Sequence, residues 1–400
     1  MRFIDRWLGV PLTMAVSVLA FFTNLWQRDC EKPENVLLIK LSEMGSTVCA
    51  EPALRAIEKA SGQIPHIVVF KENSTVFSIL EQSYENRLFT IRSDSFINLV
   101  WDTFRFLFWA HAKGFDGVVD FELFSCYSAL LAFFSGASRR VGFHCVSDEG
   151  LYRGDLFNRR VVYSNKLHIS ENYLNLADAL LAPVLEGLYQ KEALLPGRLL
   201  VTKKELSAAD IEAVNSLLLN CFDQRENEER TLVVVNVNAS ELLPQRRWPV
   251  SRFTQLIGRL LELDKKIHIV LTGSRSEREG LQQIVSEVSS QRCAEIAGKI
   301  SLIELLALLD KASAFVSNDS GPGHFASKSA VSTLVLFGPE TPALYRPLGE
   351  HIKVLYADIE CSPCVSAAEM KKCDCINNVC MQSITVEQVF EEVKSMLSKR

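Results

Sequence analysis

The sequence predicts an α/β protein of two doubly wound, parallel-sheet domains facing one another across a cleft. Three observations carry that prediction. Short apolar and β-branched runs alternate with stretches of helical apolar spacing, in two separate series. The runs are apolar throughout, as strands covered on both faces must be. Polar turns follow three of them, after Leu41, Val237 and Ser317, at the carboxyl ends where open α/β sheets bind ligands.

In chain order, residues 35–41 (NVLLIKL) form a run of strand length, the turn 42–46 (SEMGS) follows, and helical spacing continues from 48 to 60. Residues 67–70 and 117–121 read as further buried strands with helices between them, and 140–143 as a short strand. A second series begins at 232–237 and continues with 268–271, 314–317 and 332–337. Helical patterns at Val250–Leu263, 276–288 and Leu302–Lys311 separate its strands. With 186–196 as the linker, the domains are expected at 33–185 and 186–400, preceded by a hydrophobic segment at 1–32.

A chain of 400 residues with 48% hydrophobic content can bury two such cores. A net charge of −5, with no long run of Lys or Arg, excludes a basic field for nucleic acid. The most charged stretch, 223–230 (DQRENEER), reads as a solvated loop. Six of the 11 cysteines are scattered through apolar segments, which points to buried thiols in a reducing compartment. The other five, Cys361, Cys364, Cys373, Cys375 and Cys380, cluster near the end. Four thiolates at short spacing suit a tetrahedral structural metal, yet Cys373 and Cys375 are cramped for two ligands and one cysteine is surplus. Packed thiols or a thiol pair, a structural metal and thiol chemistry all stay open.

Residues 7–26 (WLGVPLTMAVSVLAFFTNLW) carry no charge and have a tryptophan at each end, as membrane interfaces prefer. The following QRDCEKPE lacks the small-x-small site of a cleavable signal. Pro11, Thr13, Ser17, Thr23 and Asn24 weaken a spanning helix. The flanking charges lean toward a cytoplasmic N-terminus, which for a spanning helix would put the body outside. A re-entrant or interfacial anchor keeps the body in the cytoplasm; a buried helix of the soluble fold is the other reading. The aromatic-rich stretch 104–109 (FRFLFW) reads as core, with a membrane-facing helix as the alternative.

The chemistry concentrates in residues 315–338 (FVSNDSGPGHFASKSAVSTLVLFG), which read as strand, tight turn, helix and strand. Asp319 and Ser320 stand where a helix N-cap is expected, and Gly321 and Gly323 let a ligand approach the backbone. Unpaired N–H groups and the positive helix end suit a phosphate or diphosphate, to which His324 adds a donor. An ordinary, well-capped βα turn would read the same way.

Together the segments LIKLSEMGSTVCAEPAL, RRWPVSRF, LTGSRSE, SNDSGPGHFA and LFGPETP resemble the ADP-heptose:lipopolysaccharide heptosyltransferases, glycosyltransferase family 9, over residues 35–393. The resemblance implies a GT-B fold of two Rossmann-like domains and metal-independent, inverting transfer of a heptose-like sugar. The donor would be a nucleotide diphosphate sugar, an ADP-sugar in the family's best-known case, and the acceptor a lipid-linked saccharide of the cell envelope. It implies work at the membrane surface, on the cytoplasmic face of the bacterial inner membrane. It also implies that Asp319, Ser320, Gly321, Gly323 and His324 form the diphosphate loop. Arg246 stands where the family commonly has a phosphate-facing lysine, with Arg247 in reserve; a guanidinium grips phosphate at two points. Asn236 and Asn238 end a strand bordering the donor, and Gly338, Pro339 and Thr341 fall in the loop beside the nucleotide.

One departure matters. After the glycine of the first turn the family usually has an aspartate, taken as the general base, and here that position is Ser46. A serine hydroxyl needs another base to remove an acceptor proton at neutral pH. Glu43, in the same turn, is the favoured replacement, and Glu51 lies further along. The missing aspartate also motivates a rival, a catalytically degenerate GT-B scaffold that binds nucleotide sugar or glycan at the membrane. A sugar-nucleotide epimerase of similar architecture is a second rival, and the hydrophobic N-terminus argues against it.

Overall fold

The computed structural model describes residues 5–26, 33–144, 153–183, 188–189, 198–222, 230–365, 373 and 375–398. Most of the expected linker 186–196 and of the charged run 223–230 lies outside them, as do both flanks of the 1–32 segment. The chain divides into two compact units, one running to Leu200 and the other starting at Val201. The boundary falls later than 185/186 because Arg198 makes a two-point ion pair with Asp178, at 2.8 and 2.6 Å, tying its segment to the first unit.

The first unit is a seven-stranded sheet: β1 (Val36–Ile39), β2 (His66–Phe70), β3 (Leu88–Ile91), β4 (Gly117–Asp120), β5 (Arg139–His144), β6 (Arg159–Val162) and β7 (Leu188–Tyr189). Its order is β3-β2-β1-β4-β5-β6-β7, and every pairing is parallel. Leu37 pairs with both His66 and Val118, so β1 and β4 meet where the strand order reverses. Besides two short helices at Val76–Leu80 and Gln82–Glu85, the helices are α1 (Val10–Trp26, led in by a π-turn at Asp5–Gly9), α2 (Met44–Cys49), α3 (Glu51–Ser61), α4 (Phe96–Lys113), α5 (Cys126–Phe134) and α6 (Ile169–Leu181). The helix expected at 48–60 is two helices because Pro52 has no N–H and its ring collides with the carbonyl four residues back.

Strands β5 and β6 open on arginine pairs, which sequence patterns do not associate with a core. Here Arg139, Arg140 and Arg159 are buried and bonded to backbone, while Arg160 is partly exposed and pairs with Asp155. Arg139 Nη1 donates to Leu180 O at 2.6 Å, and Arg159 Nη1 donates to Ala179 O at 2.8 Å. Both satisfy carbonyls at the end of α6 that have no intrahelical partner, at the negative pole of its dipole.

No helix among the described residues is long and apolar enough to cross a membrane. The 17 residues of α1 reach only ~26 Å, short of the ~30 Å hydrocarbon core. A helix spanning the membrane is therefore unsupported in the described part of that segment, where residues 5–26 pack on the first unit. The Asp5 carboxylate accepts from the N–H groups of Cys126 and Tyr127 at 3.2 and 2.8 Å, and Ser17 Oγ accepts from Asp155 N at 3.0 Å. Val16 and Ala20 enter the core formed with Leu99 and Phe106 of α4 and Ala129–Ala132 of α5.

The second unit is a six-stranded parallel sheet, ordered β10-β9-β8-β11-β12-β13. Its strands are β8 (Thr231–Asn236), β9 (Ile267–Thr272), β10 (Cys293–Glu295), β11 (Ala314–Asn318), β12 (Thr333–Phe337) and β13 (Ile352–Tyr356). Around them lie α7 (Ala208–Cys221), α8 (Val250–Leu263), α9 (Arg278–Val288), α10 (Leu302–Lys311), α11 (Gly321–Phe325) and α12 (Val386–Leu397). α8 buries Phe253, Leu256, Ile257, Leu260 and Leu261, the one-sided stripe expected of a helix covering a sheet.

Candidate functional site

The first turn follows β1. Glu122, just past β4, accepts from the N–H groups of Leu41 and Ser42 at 2.8 and 3.0 Å and from Ser42 Oγ at 2.7 Å. Lys40 Nζ, 3.1 Å from the same carboxylate, neutralises it. This buried cluster holds the chain as it leaves the sheet, and the sequence reading missed it. Its one signal was an acid at the carboxyl end of a strand.

Above that clamp Glu43 adopts φ 62°, ψ 82°, a left-handed conformation that costs a non-glycine residue ~1–2 kcal/mol. Its carbonyl accepts from Thr47 N at 3.1 Å and from the hydroxyls of Ser46 and Thr47 at 3.0 and 3.1 Å, starting α2. Ser46 Oγ also lies 3.3 Å from Glu43 Oε2. Burial pushes Tyr173 well above the ordinary tyrosine range, so its hydroxyl stays protonated. Glu43 is half-buried, whereas Glu51 is fully buried and paired with Arg55 at 2.9 Å. The reserve position at Glu51 is thus corrected: its carboxylate serves the α3 surface, and Glu43 is the acid the turn presents.

The second turn follows β11. Asn318, fully buried, accepts from Trp248 N at 3.0 Å and donates to Val237 O at 2.6 Å. One side chain so joins the turns after β8 and β11 to the RRWP segment, another residue the sequence reading missed. Asp319 is buried with its carboxylate 3.3 Å from Arg246 Nε, and Arg246 Nη2 bonds Glu340, which is also buried. One guanidinium therefore lies against two carboxylates. Glu340 sits inside the LFGPETP motif, and that motif was the only sign of it.

Several expectations change here. Ser320 stands at the N-cap without capping; its hydroxyl bonds Ser317 Oγ at 3.0 Å. α11 has five residues, so its dipole is small. Pro322 has no N–H, so Gly321 and Gly323 carry the only amide N–H groups among the first three residues of α11. The missing Cβ of Gly323 points at Asn318 O (3.4 Å) and Val335, not toward a ligand; a Cβ on Gly321 would meet the Phe325 ring at 3.3 Å. His324 is buried one turn in, its N–H donating to Ser320 O at 3.3 Å.

The remaining expected ligand residues have structural partners. Arg247 donates to Ala239 O at 3.1 and 2.8 Å and pairs with Glu241, bracing the loop after β8. Asn236 is buried, its amide reaching toward Thr272 O at 3.4 Å, and Asn238 is half-buried in the following turn. Thr341 Oγ1 accepts from Ala343 N at 3.2 Å and caps the next short helix. A Cβ on Gly338 would strike Met381 Sδ, so that glycine exists for packing; Pro339 O accepts from Cys364 N at 3.0 Å.

The cysteine tail wraps the Arg246 loop. Gln245 Nε2 donates to Cys375 O at 3.1 Å, Asn378 Nδ2 to Arg247 O at 2.9 Å and Trp248 Nε1 to Ile384 O at 2.9 Å. Cys364 and Cys373 stand as a thiol pair, Sγ to Sγ 3.5 Å, while Cys361 is exposed and Cys380 is buried under Gly338. Among the described residues no three His, Cys, Asp or Glu side chains converge as a metal site.

Residues 111–374 match glycosyltransferase family 9 (heptosyltransferase), a span that leaves out the Glu43 turn. The lipopolysaccharide heptosyltransferase 2 of Salmonella typhimurium is 27% identical over 278 residues, 68% of this chain and 73% of that protein. Its Escherichia coli counterpart is 28% identical over 57% of this chain and 61% of its own length. The structure of E. coli ADP-heptose lps heptosyltransferase II superposes with a TM-score of 0.68 at 20% identity, covering 91% of this chain and 99% of that one. An E. coli heptosyltransferase with ADP gives 0.63 at 19% identity, with coverage of 90% and 99%. At such identities these two structures speak for the fold alone.

Proposed function

This chain belongs to glycosyltransferase family 9, and from that premise we propose that it moves a heptose-type sugar from an ADP-linked donor to a lipid-linked saccharide, by metal-independent inverting displacement with Glu43 as base. One observation carries the reading: where the family's aspartate is replaced by Ser46, the adjacent turn holds a carboxylate on a strained backbone, bonded to that serine. Strain of this kind persists where the surroundings impose it and gathers at reacting sites.

In the proposed step an acceptor hydroxyl attacks the anomeric carbon. Its proton passes to Glu43, and the bond to the diphosphate oxygen breaks with its electron pair leaving on ADP. The base accounts for about 10²–10⁴-fold in rate. Charge on the departing diphosphate is met by the Gly321 and Gly323 amides, His324 and Arg246. A guanidinium carries five donors, and Arg246 turns Nε toward Asp319 and Nη2 toward Glu340. In this state the two carboxylates outweigh the one cation, so donor binding requires Arg246 to exchange part of its ion pairing for phosphate. The donor's nucleotide and the reducing-compartment cysteine pattern both support the cytoplasmic face of the bacterial inner membrane as the location.

Thermal melting of the full chain against ADP, UDP, GDP and their sugars tests the donor half. A ligand at 100 times its Kd adds about 2.7 kcal/mol, and the expected result is a shift selective for ADP and ADP-heptose. No shift with any nucleotide would overturn the reading. Selective binding without turnover on a lipid-linked acceptor would favour the degenerate scaffold.

A further inference from the structure

We propose that the outer faces of α1 and α4 form one apolar surface by which this chain lies on an anionic lipid bilayer without crossing it. α4 differs from an ordinary surface helix in being apolar on its outer face as well as its inner one. Ile97, Trp101, Phe104 and Phe108, spaced four, three and four residues apart, all face outward, with Ile97 79% and Phe108 78% exposed. Its inner face is apolar too, through Leu99, Phe106 and Ala110. The one acid within it, Asp102, is buried between Arg92 (2.7 Å) and Arg105 (3.0 Å). α1 repeats the arrangement: Val16 and Ala20 are buried, while Leu12 is half exposed and Leu19 and Phe22 more than half, as is Leu8 in the preceding π-turn. Apolar faces of this extent mark interaction sites rather than ordinary solvated surface.

The two helices flank α5 and share its core. Thr103 of α4 bonds Tyr127 OH at 2.7 Å, and Tyr127 N donates to Asp5 at the head of α1's π-turn at 2.8 Å. Asp5 thereby seats the N-terminal segment at the start of α5, beside the strand end whose Glu122 clamps the Glu43 turn.

Charge selects the occupant. α1 has no ionisable residue. On α4 the acid is internal, so the exposed ionisable groups of the helix are Arg105, His111 and Lys113; Asp94 lies just before its N-terminus, bonded to Asn98. Basic groups bordering an apolar, tryptophan-bearing face are the pattern of a helix lying in an anionic interface. A second copy of this chain fits poorly, because a two-fold contact would set the same basic border against itself. The inference deepens the lipid-linked-acceptor reading, since a bilayer-bound enzyme meets its acceptor in two dimensions, but the surface stands on exposure and charge alone.

The test is sedimentation of the full-length chain with vesicles of phosphatidylcholine alone and with an equal part of phosphatidylglycerol. The expected result is binding to the mixed vesicles that falls at least tenfold in the double variant Trp101→Ser/Phe108→Ser. A second variant, Lys113→Glu, leaves every apolar side chain in place and is expected to weaken binding about tenfold. ADP-sugar melting shifts in vesicle-free buffer should be equal in all three proteins, which separates failure of this surface from failure of the donor site. Wild-type protein remaining unbound to both vesicle types would overturn the proposal. So would unchanged binding by both variants, or a wild-type dimer in solution that the double variant dissociates.

Discussion

The two βα turns that carry the candidate chemistry, after β1 and after β11, sit at the same place in their respective sheets and are built on opposite plans. The first puts strain where the reaction is proposed: Glu43 is left-handed and half-exposed, while the clamp beneath it, Glu122 with Lys40, Leu41 and Ser42, is fully satisfied. The second has no positive φ from Asp319 to His324; its buried acids, Asp319 and Glu340, both engage the partly buried Arg246. A turn that presents a base needs its carboxylate held up to solvent, and strain on a supported backbone does that. A turn that binds a polyanion needs donors held in place without ligand, and an internal ion network does that.

The largest expected effect separates the two plans. Glu43→Gln should lower kcat by about 10²–10⁴-fold and leave the ADP-sugar melting shift unchanged, as read from steady-state kinetics beside a melt. Wild-type turnover in that variant would place the base elsewhere. Next, Arg246→Ala leaves two buried carboxylates without their cation. It should destabilise the protein by about 3–5 kcal/mol and abolish the ADP-sugar shift; in denaturant melts, a loss below ~1 kcal/mol would mean that the network is not integral to the second turn. Glu122→Gln removes the charge beneath the first turn and should cost about 1–3 kcal/mol, with donor binding intact. Smallest is Glu43→Gly, which relieves the left-handed strain and should raise stability by about 1 kcal/mol while turnover falls as in Glu43→Gln. If Glu43→Gly instead destabilises, strain is not what distinguishes the first turn.

A similar contrast holds between helices. α8 was read to the residue from its sequence because its apolar stripe faces one way and its sheet covers that stripe. The stretch 104–109 reads as core, and Phe106 is, but Phe104 and Phe108 point outward. A helix apolar on both faces has no periodicity from which to tell the covered side. Strand β5 is legible at 140–143, but β6 is not: Arg139 and Arg159 look like surface until α6 supplies the carbonyls that hold them.

By itself the sequence determined the two parallel sheets, the central strands of each and the turns that matter, because fully apolar runs must be covered on both faces and glycine-rich polar turns must lie beyond their ends. It also singled out Glu43, since a missing aspartate directs attention to the nearest acid. Only the tertiary structure decided which polar groups near those turns act on one another. Glu122 reaches Ser42 across 80 residues, Arg246 reaches Glu340 across 94 and Asn318 reaches Val237 across 81. Hydrogen bonds and ion pairs depend on ångström distances between side chains, and distances across such separations in the chain exist only after the sheets have formed.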